Sequence, residues 1–156
     1  MKNLVAEFSA QLKKAIEIGE AASLNKHSSV LHNIVIAGLG GSGIGGSILC
    51  ELVAQDSSLP ITVCKGYFIP SYVDVHTLFI ACSYSGNTEE TLHTLEQALN
   101  KKAKVVCVTS GGQLAEIAGK KRPRLHSRTG WIPSQSLPGL FPHTAFFHTF
   151  FFLNHP

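Results

Sequence analysis

The sequence is poor in charged residues and carries neither a long apolar run nor a strong excess of one charge. Asp, Glu, Lys and Arg make up 15% of its 156 residues, and the formal net charge is +3. This excess is too small to indicate a nucleic-acid partner. No apolar run reaches the roughly 20 residues that a membrane-spanning helix needs, and the first residues do not form a signal peptide. We therefore expect a cytoplasmic protein that binds neither nucleic acid nor membrane.

The four cysteines are widely separated, at positions 50, 64, 82 and 107. They form no C-x-x-C pair and no cluster with histidine at the spacing of zinc ligands. Three of them lie in or beside apolar runs typical of buried strands. We expect reduced, buried thiols, as in a cytosolic protein, and no metal site.

The last quarter of the chain differs in composition from the rest. No Asp or Glu follows Glu116, and all three arginines lie within 122–128. Most of the prolines and phenylalanines fall in the same part, which shows neither a helical nor a strand period. The sequence thus predicts an N-terminal helix within 1–30, a partial domain over 31–120 and an aberrant, disordered tail over 121–156.

Strand-like and helix-like runs alternate through the first 120 residues. The predicted strands, apolar and rich in β-branched residues, are 33–39, 61–64, 77–82 and 104–109. The predicted helices are 3–22, 44–54, 88–100 and 113–119. This alternation predicts an α/β domain with a doubly wound parallel sheet and a leading helix. A fifth strand normally completes such a sheet, and none is visible, so we expect the last strand to be missing.

Two polar, glycine-rich segments each follow a predicted strand and precede a predicted helix. They are 38–46, with the sequence GLGGSGIGG, and 83–91, with the sequence SYSGNTEET. The first amides of a helix and its positive dipole end favour phosphate, and glycine lets the backbone approach closely. Because parallel strands end at the same edge of a sheet, we expect two neighbouring phosphate loops.

Hydroxyl side chains in both segments add donors for a phosphate. Ser42 lies in the first segment, and Ser83, Ser85 and Thr88 lie in the second. Asn87 is also placed to cap the helix that follows, with Glu90 reaching back as a capping box.

The first segment taken alone has other interpretations. Gly38, Gly40 and Gly43 fit the pattern G-x-G-x-x-G, which would indicate a dinucleotide site in an oxidoreductase. That site needs an acidic residue about 20 positions further on, at the end of the next strand. Lys65 stands there instead. A glycine-rich packing turn without a ligand is the second alternative.

The second segment resembles the signature S-x-S-G-x-T-x-E-T of sugar isomerase (SIS) domains. The form GGSGIGG of the first segment is similar to the bifunctional phosphoglucose/phosphomannose isomerases, and the resemblance covers about 1–120. It implies a flavodoxin-like fold, two SIS domains in a chain, a homodimer and no metal or other cofactor. The implied reaction interconverts glucose 6-phosphate or mannose 6-phosphate with fructose 6-phosphate. The implied ligands of the substrate phosphate are Gly41, Ser42, Ser83, Ser85 and Thr88.

The sequence departs from this family after the central part. In the family, the catalytic Glu and the ring-opening His come from the second SIS domain or the partner subunit. A segment Pro-Gly-Gly-x-Pro-Pro-Arg closes the first domain there, and neither feature is found in this sequence. We therefore assign no catalytic residue and expect no isomerase activity from this chain alone. A phosphosugar-sensing regulatory SIS module is the alternative, although 1–30 shows only one helix.

Reading the codons of the tail in a frame shifted by one nucleotide recovers the expected segment. With permitted codon choices, Trp131 becomes Gly and Gln135 becomes Arg in a stretch that reads PGGYPPR. The same reading supplies an apolar strand before that stretch. We therefore expect a frameshift near 119–121, which would leave the chain truncated relative to its family.

Overall fold

The computed structural model describes residues 30–119 and 130–133. In these ranges five strands and three helices follow one another along the chain. The strands are β1 Asn33–Ala37, β2 Ile61–Cys64, β3 Thr77–Cys82, β4 Lys104–Thr109 and β5 Gly130–Pro133. The helices are α1 Gly40–Val53, α2 Glu89–Asn100 and α3 Gly112–Gly119. The predicted N-terminal helix and most of the predicted tail lie outside the described residues.

The five strands form one parallel sheet in the order β2-β1-β3-β4-β5. This order is that of flavodoxin-like folds. β1 pairs with β2 on one side and β3 on the other, which explains why its residues are almost all buried. The predicted α/β fold with a doubly wound parallel sheet is confirmed.

The helices cover both faces of the sheet. Leu49 of α1 packs in one apolar cluster with Ile34 and Ile36 of β1. Leu95 of α2 and Leu114 of α3 belong to a second cluster on the opposite face, around Val35, Phe79 and Val105. Successive residues of a strand point to opposite faces, so each buried strand feeds both clusters. The sheet is thereby held between α1 on one side and α2 and α3 on the other.

The expectation that the last strand is missing is wrong. Gly130–Pro133 runs parallel to β4, with Gly130 opposite Val106 and Pro133 opposite Thr109. Without it, this edge of β4 would keep a row of unpaired backbone groups. Trp131 and Ile132 are residue types that favour strands. Four residues of the segment assigned to a disordered tail therefore complete the sheet.

Helix α1 begins earlier than predicted, at Gly40 rather than at residue 44. Most of the glycine-rich segment 38–46 thus belongs to the first two turns of this helix. A Cβ atom added to Gly46 would lie 3.1 Å from a methyl carbon of Ile36 and 3.3 Å from one of Val63. Because α1 packs this closely on β1 and β2, residues without side chains suit the helix despite their low helix propensity.

The cysteines are free thiols, and three of the four are buried, as the sequence predicts. Burial raises the pKa of Cys107 to about 12, from an ordinary value of 9.0. Burial also raises the pKa of Cys82. In the part of the chain that the structure describes, no helix is long and apolar enough to cross a membrane.

Candidate functional site

The candidate site lies where β1 and β3 end side by side. The chain leaves β1 into α1 on one face of the sheet, and it leaves β3 toward α2 on the other face. In open α/β sheets, ligands bind at such a switch point, outside the carboxyl ends of the strands. A Cβ atom added to Gly38 would lie 3.1 Å from the carbonyl oxygen of Cys82. The two loops are therefore neighbours.

The β3 loop, residues 83–88, is organised around the side chain of Ser83. Its hydroxyl oxygen lies 2.7 Å from that of Thr88. It also accepts a hydrogen bond from the backbone N–H of Gly86 at 3.1 Å, while the N–H of Ser83 donates to the carbonyl oxygen of Val108 at 3.1 Å. Ser83 is 2% exposed. Two of the predicted phosphate ligands, Ser83 and Thr88, are thus in direct contact.

The capping prediction for α2 is wrong. The helix begins after Thr88, and no side chain forms a cap hydrogen bond there. The amide oxygen of Asn87 instead accepts a hydrogen bond from the backbone N–H of Gln113 at 3.0 Å. The carboxylate of Glu90 lies near the phenol of Tyr67 and helps to raise the pKa of that hydroxyl. These tertiary partners compete with the local cap, so the capping box does not form.

The β4 loop, defined as residues 109–114 at the end of β4 and the start of α3, braces the β3 loop from the adjoining strand. The N–H of Leu114 donates to the carbonyl oxygen of Gly86 at 3.0 Å, and the N–H of Ser110 donates to that of Tyr84 at 3.1 Å. Gly86 has φ +70°, and a Cβ atom there would overlap the carbonyl oxygen of Gly111. Only glycine satisfies both conditions. Hydrogen bonds within the chain and the lack of space at Gly86 therefore fix the backbone of the β3 loop.

The other predicted phosphate ligands lie at the edges of this arrangement. Gly41 and Ser42 stand in the first turn of α1, and both are half-buried. The Cβ of Ser42 would lie 3.1 Å from a Cβ added to Gly38. Ser85 is exposed, and its hydroxyl accepts a hydrogen bond from the N–H of Asn87 at 3.3 Å.

Two further residues reach this edge from the loop after β2 and were not predicted as site residues. Lys65 directly follows β2, and its Cε would lie 3.4 Å from a Cβ added to Gly43. The carbonyl oxygen of Tyr67 accepts a hydrogen bond from the side-chain amide of Gln97, in α2, at 2.6 Å. Lys65 could have been identified from the sequence, because it directly follows a predicted strand and so lies at the same end of the sheet as the two glycine-rich segments.

The charges around the site differ between its two helices. The first turn of α1 contains no acidic residue, whereas that of α2 contains Glu89 and Glu90. Partial desolvation and these two carboxylates raise the pKa of Tyr67. Within the described ranges, no group of three His, Cys, Asp or Glu side chains could hold a metal ion. Backbone amides, hydroxyls and one lysine suit an anion better than a cation.

The sequence profile of the SIS domain family matches residues 31–130. Over 110 residues the chain is 47% identical to the bifunctional phosphoglucose/phosphomannose isomerase of Caldicellulosiruptor bescii, covering 70% of this chain and 32% of that protein. Over 85 residues it is 58% identical to the bifunctional phosphoglucose/phosphomannose isomerase of Thermoplasma acidophilum, covering 54% of this chain and 26% of that protein. The chain spans a quarter to a third of the length of these relatives.

Solved structures share the fold at low sequence identity. The tagatose-6-phosphate ketose/aldose isomerase of Escherichia coli superposes with a TM-score of 0.55 at 19% identity, over 92% of this chain and 36% of that one. The protein c3406 of E. coli CFT073 superposes with a TM-score of 0.61 at 21% identity, over 96% of this chain and 84% of that one. The strands in 30–119 and 130–133 follow the order β2-β1-β3-β4-β5, which differs from the order 3-2-1-4-5-6 of the classic dinucleotide-binding sheet. The chain therefore belongs to the SIS domain family, and its curated relatives include phosphosugar isomerases.

Proposed function

We propose that this chain binds a sugar phosphate at the site where β1 and β3 end, as the phosphosugar-binding domain of a phosphoglucose/phosphomannose isomerase. The observation that carries the proposal is the contact of 2.7 Å between the hydroxyls of Ser83 and Thr88. This contact sits beside the start of α1, in a loop whose backbone is already fixed. The names of the relatives supply the substrate class.

The phosphate would be held by groups from both loops. Ser83 and Thr88 share one hydroxyl proton between them, so the other proton is available to a phosphate oxygen. The start of α1 adds a favourable dipole with no acidic residue in its first turn. The proposed phosphate ligands are Gly41, Ser42, Ser83, Ser85 and Thr88.

The role of this chain in the reaction is to anchor the substrate. Interconversion of an aldose and a ketose moves a proton between C1 and C2 through an enediol, which requires a base beside the carbon and a stabilised oxyanion. By the family resemblance, the base and the ring-opening histidine come from a second SIS domain or a partner subunit. The proposed substrates are glucose 6-phosphate, mannose 6-phosphate and fructose 6-phosphate, and the proposed assembly is a homodimer.

Calorimetric titration of the 156-residue chain tests the binding step. Fructose 6-phosphate and glucose 6-phosphate are expected to bind, and inorganic phosphate is expected to compete with both. Fructose and glucose are expected not to bind, because the described loops offer phosphate-binding groups. Equal binding of fructose with and without its phosphate would contradict the proposal, as would binding of NAD⁺ in place of sugar phosphates.

The proposal also includes the frameshift near 119–121. Its support is the change in composition after that point and the segment PGGYPPR in the shifted frame. Sequencing of the gene across these codons is expected to show one base inserted or deleted relative to this reading. The chain as given is expected to show no conversion of glucose 6-phosphate to fructose 6-phosphate. Measurable turnover by the purified chain would contradict this expectation.

A further inference from the structure

Lys65 leaves the sheet beside the turn from β1 into α1. Cys64, the last residue of β2, stands opposite Ala37, the last residue of β1. The N–H of Gly38 donates to the carbonyl oxygen of Cys64 at 3.1 Å. Lys65 is thus the first residue beyond the sheet on the β2 side of the turn from β1 into α1. The β3 loop lies on the other side of the same turn, because β1 lies between β2 and β3.

The side chain of Lys65 extends along the first turn of α1. A Cβ atom on Gly43 would lie 3.4 Å from the Cε of Lys65, the carbon that carries the ammonium group. Gly43 stands three residues after the start of α1, next to Gly41 and Ser42. Lys65 is itself exposed, so its ammonium group is accessible to a ligand from solvent.

The distribution of basic residues makes Lys65 distinct. Residues 30–119 and 130–133 contain four Lys and no Arg. Lys101 and Lys102 follow the carboxyl end of α2, and Lys104 begins β4. These three therefore lie where the strands begin, at the opposite end of the strands from the site. Among the described residues, Lys65 alone places a full positive charge at the edge where β1 and β3 end.

The acidic residues strengthen the need for a cation at this edge. Glu89 and Glu90 occupy the first turn of α2, where they oppose a phosphate dianion. Hydroxyls and backbone amides supply hydrogen bonds but no full charge. A lysine on the α1 side would draw the phosphate toward the turn that has no acidic residue.

We propose that Lys65 is the phosphate-binding cation of this site and that its ammonium group contacts the phosphate bound between α1 and the β3 loop. This inference rests on the proposed function. It assigns to Lys65 the recognition of the charge of the substrate, whereas the hydroxyls of Ser83 and Thr88 recognise its oxygen atoms.

The test compares three variants of the full chain by calorimetric titration with fructose 6-phosphate. Lys65→Met keeps the stem that packs along Gly43 and removes the charge, and its affinity is expected to fall about tenfold or more, as for the loss of a charge-assisted hydrogen bond. Lys65→Arg is expected to keep most of the affinity, because the charge stays. Lys101→Met, at the opposite end of the strands, is expected to bind like the wild type.

The dependence on ionic strength separates a direct contact from a structural role. Added salt is expected to weaken binding by the wild type and by Lys65→Arg more than binding by Lys65→Met. Thermal unfolding of each variant checks that the fold is unchanged. Equal affinities of the wild type and Lys65→Met for fructose 6-phosphate would overturn the role of Lys65 and leave the proposed function standing. Absence of sugar-phosphate binding in the wild type would overturn both.

Discussion

The hydroxyl oxygens of Ser83 and Thr88 lie 2.7 Å apart, between the end of β3 and the start of α2. This contact joins the first and last residues of the β3 loop and closes it into a compact turn. The N–H of Gly86 also points to the hydroxyl of Ser83. One buried side chain thus holds both the shape of the loop and a candidate ligand of the phosphate.

Replacing Ser83 by alanine is expected to lower the free energy of unfolding by about 1–2 kcal/mol, because the Thr88 hydroxyl loses its partner in a buried position. Urea denaturation measures this change. The matched control is Ser85→Ala, in the same loop but with an exposed hydroxyl, and we expect it to change stability by less than about 0.5 kcal/mol. Equal losses in the two variants would contradict the central position of Ser83.

Gly86→Ala is expected to destabilise the domain by more than about 2 kcal/mol, since the new methyl group overlaps Gly111 at a positive φ. Gly66→Ala is the control, because nothing lies within 4 Å of a Cβ atom there and its φ lies outside the left-handed region. Thermal unfolding of both variants gives the comparison. A Gly86→Ala variant as stable as Gly66→Ala would show that the β3 and β4 loops are not interlocked.

Phe79→Ala is expected to lower the free energy of unfolding by about 3–5 kcal/mol, as for the loss of a fully buried aromatic side chain. Phe79 is 0% exposed at the centre of β3, whereas Phe68 is 80% exposed in the loop after β2. Phe68→Ala makes the same chemical change at the surface and is expected to leave the urea midpoint nearly unchanged. If Phe68→Ala proved the more destabilising, the assignment of the core would be wrong.

The stability of the domain is expected to fall as the pH rises above about 9. Burial raises the pKa of Cys107 from 9.0 to about 12, so its thiol ionises more readily in the unfolded chain. The unfolded state then binds fewer protons than the folded state. The free energy of unfolding therefore falls by up to about 1.4 kcal/mol per pH unit for one such thiol. The stabilising contribution is complete below pH 9 and disappears as the pH approaches 12.

Urea denaturation at a series of alkaline pH values measures this slope for the wild type and for Cys107→Ala. The variant is expected to show a shallower decline, because the only change is the removal of one buried thiol. Phe68→Ala is the control, since it changes an exposed side chain and leaves every thiol in place. Parallel slopes for the wild type and Cys107→Ala would contradict the raised pKa.

The sequence predicts the buried strands well and the helix starts less well. The bounds of β2, β3 and β4 agree with the predicted runs, because short apolar runs rich in β-branched residues suit strands covered on both faces. The start of α1 was predicted four residues late, since glycines usually weaken a helix. Close packing of Gly46 on Ile36 and Val63 reverses that preference, and packing cannot be derived from local sequence.

The site and the last strand show the same limit. Residues 38–46 and 83–91 were placed at one edge of the sheet from their position after strands, and the structure confirms their proximity. The partner of Asn87 was missed because Gln113 is 26 residues away in the chain. The strand Gly130–Pro133 was missed because a segment of four residues pairs only where β4 offers an open edge.

The bracing of the β3 loop by the β4 loop has a consequence for the energetics of recognition. A loop that must become ordered around its ligand loses conformational entropy on binding, and affinity falls accordingly. Here the chain's own hydrogen bonds, between 83–88 and 109–114, order the loop. Association with a small anion should therefore proceed without a slow rearrangement, at a rate set by diffusion and charge rather than by loop closure.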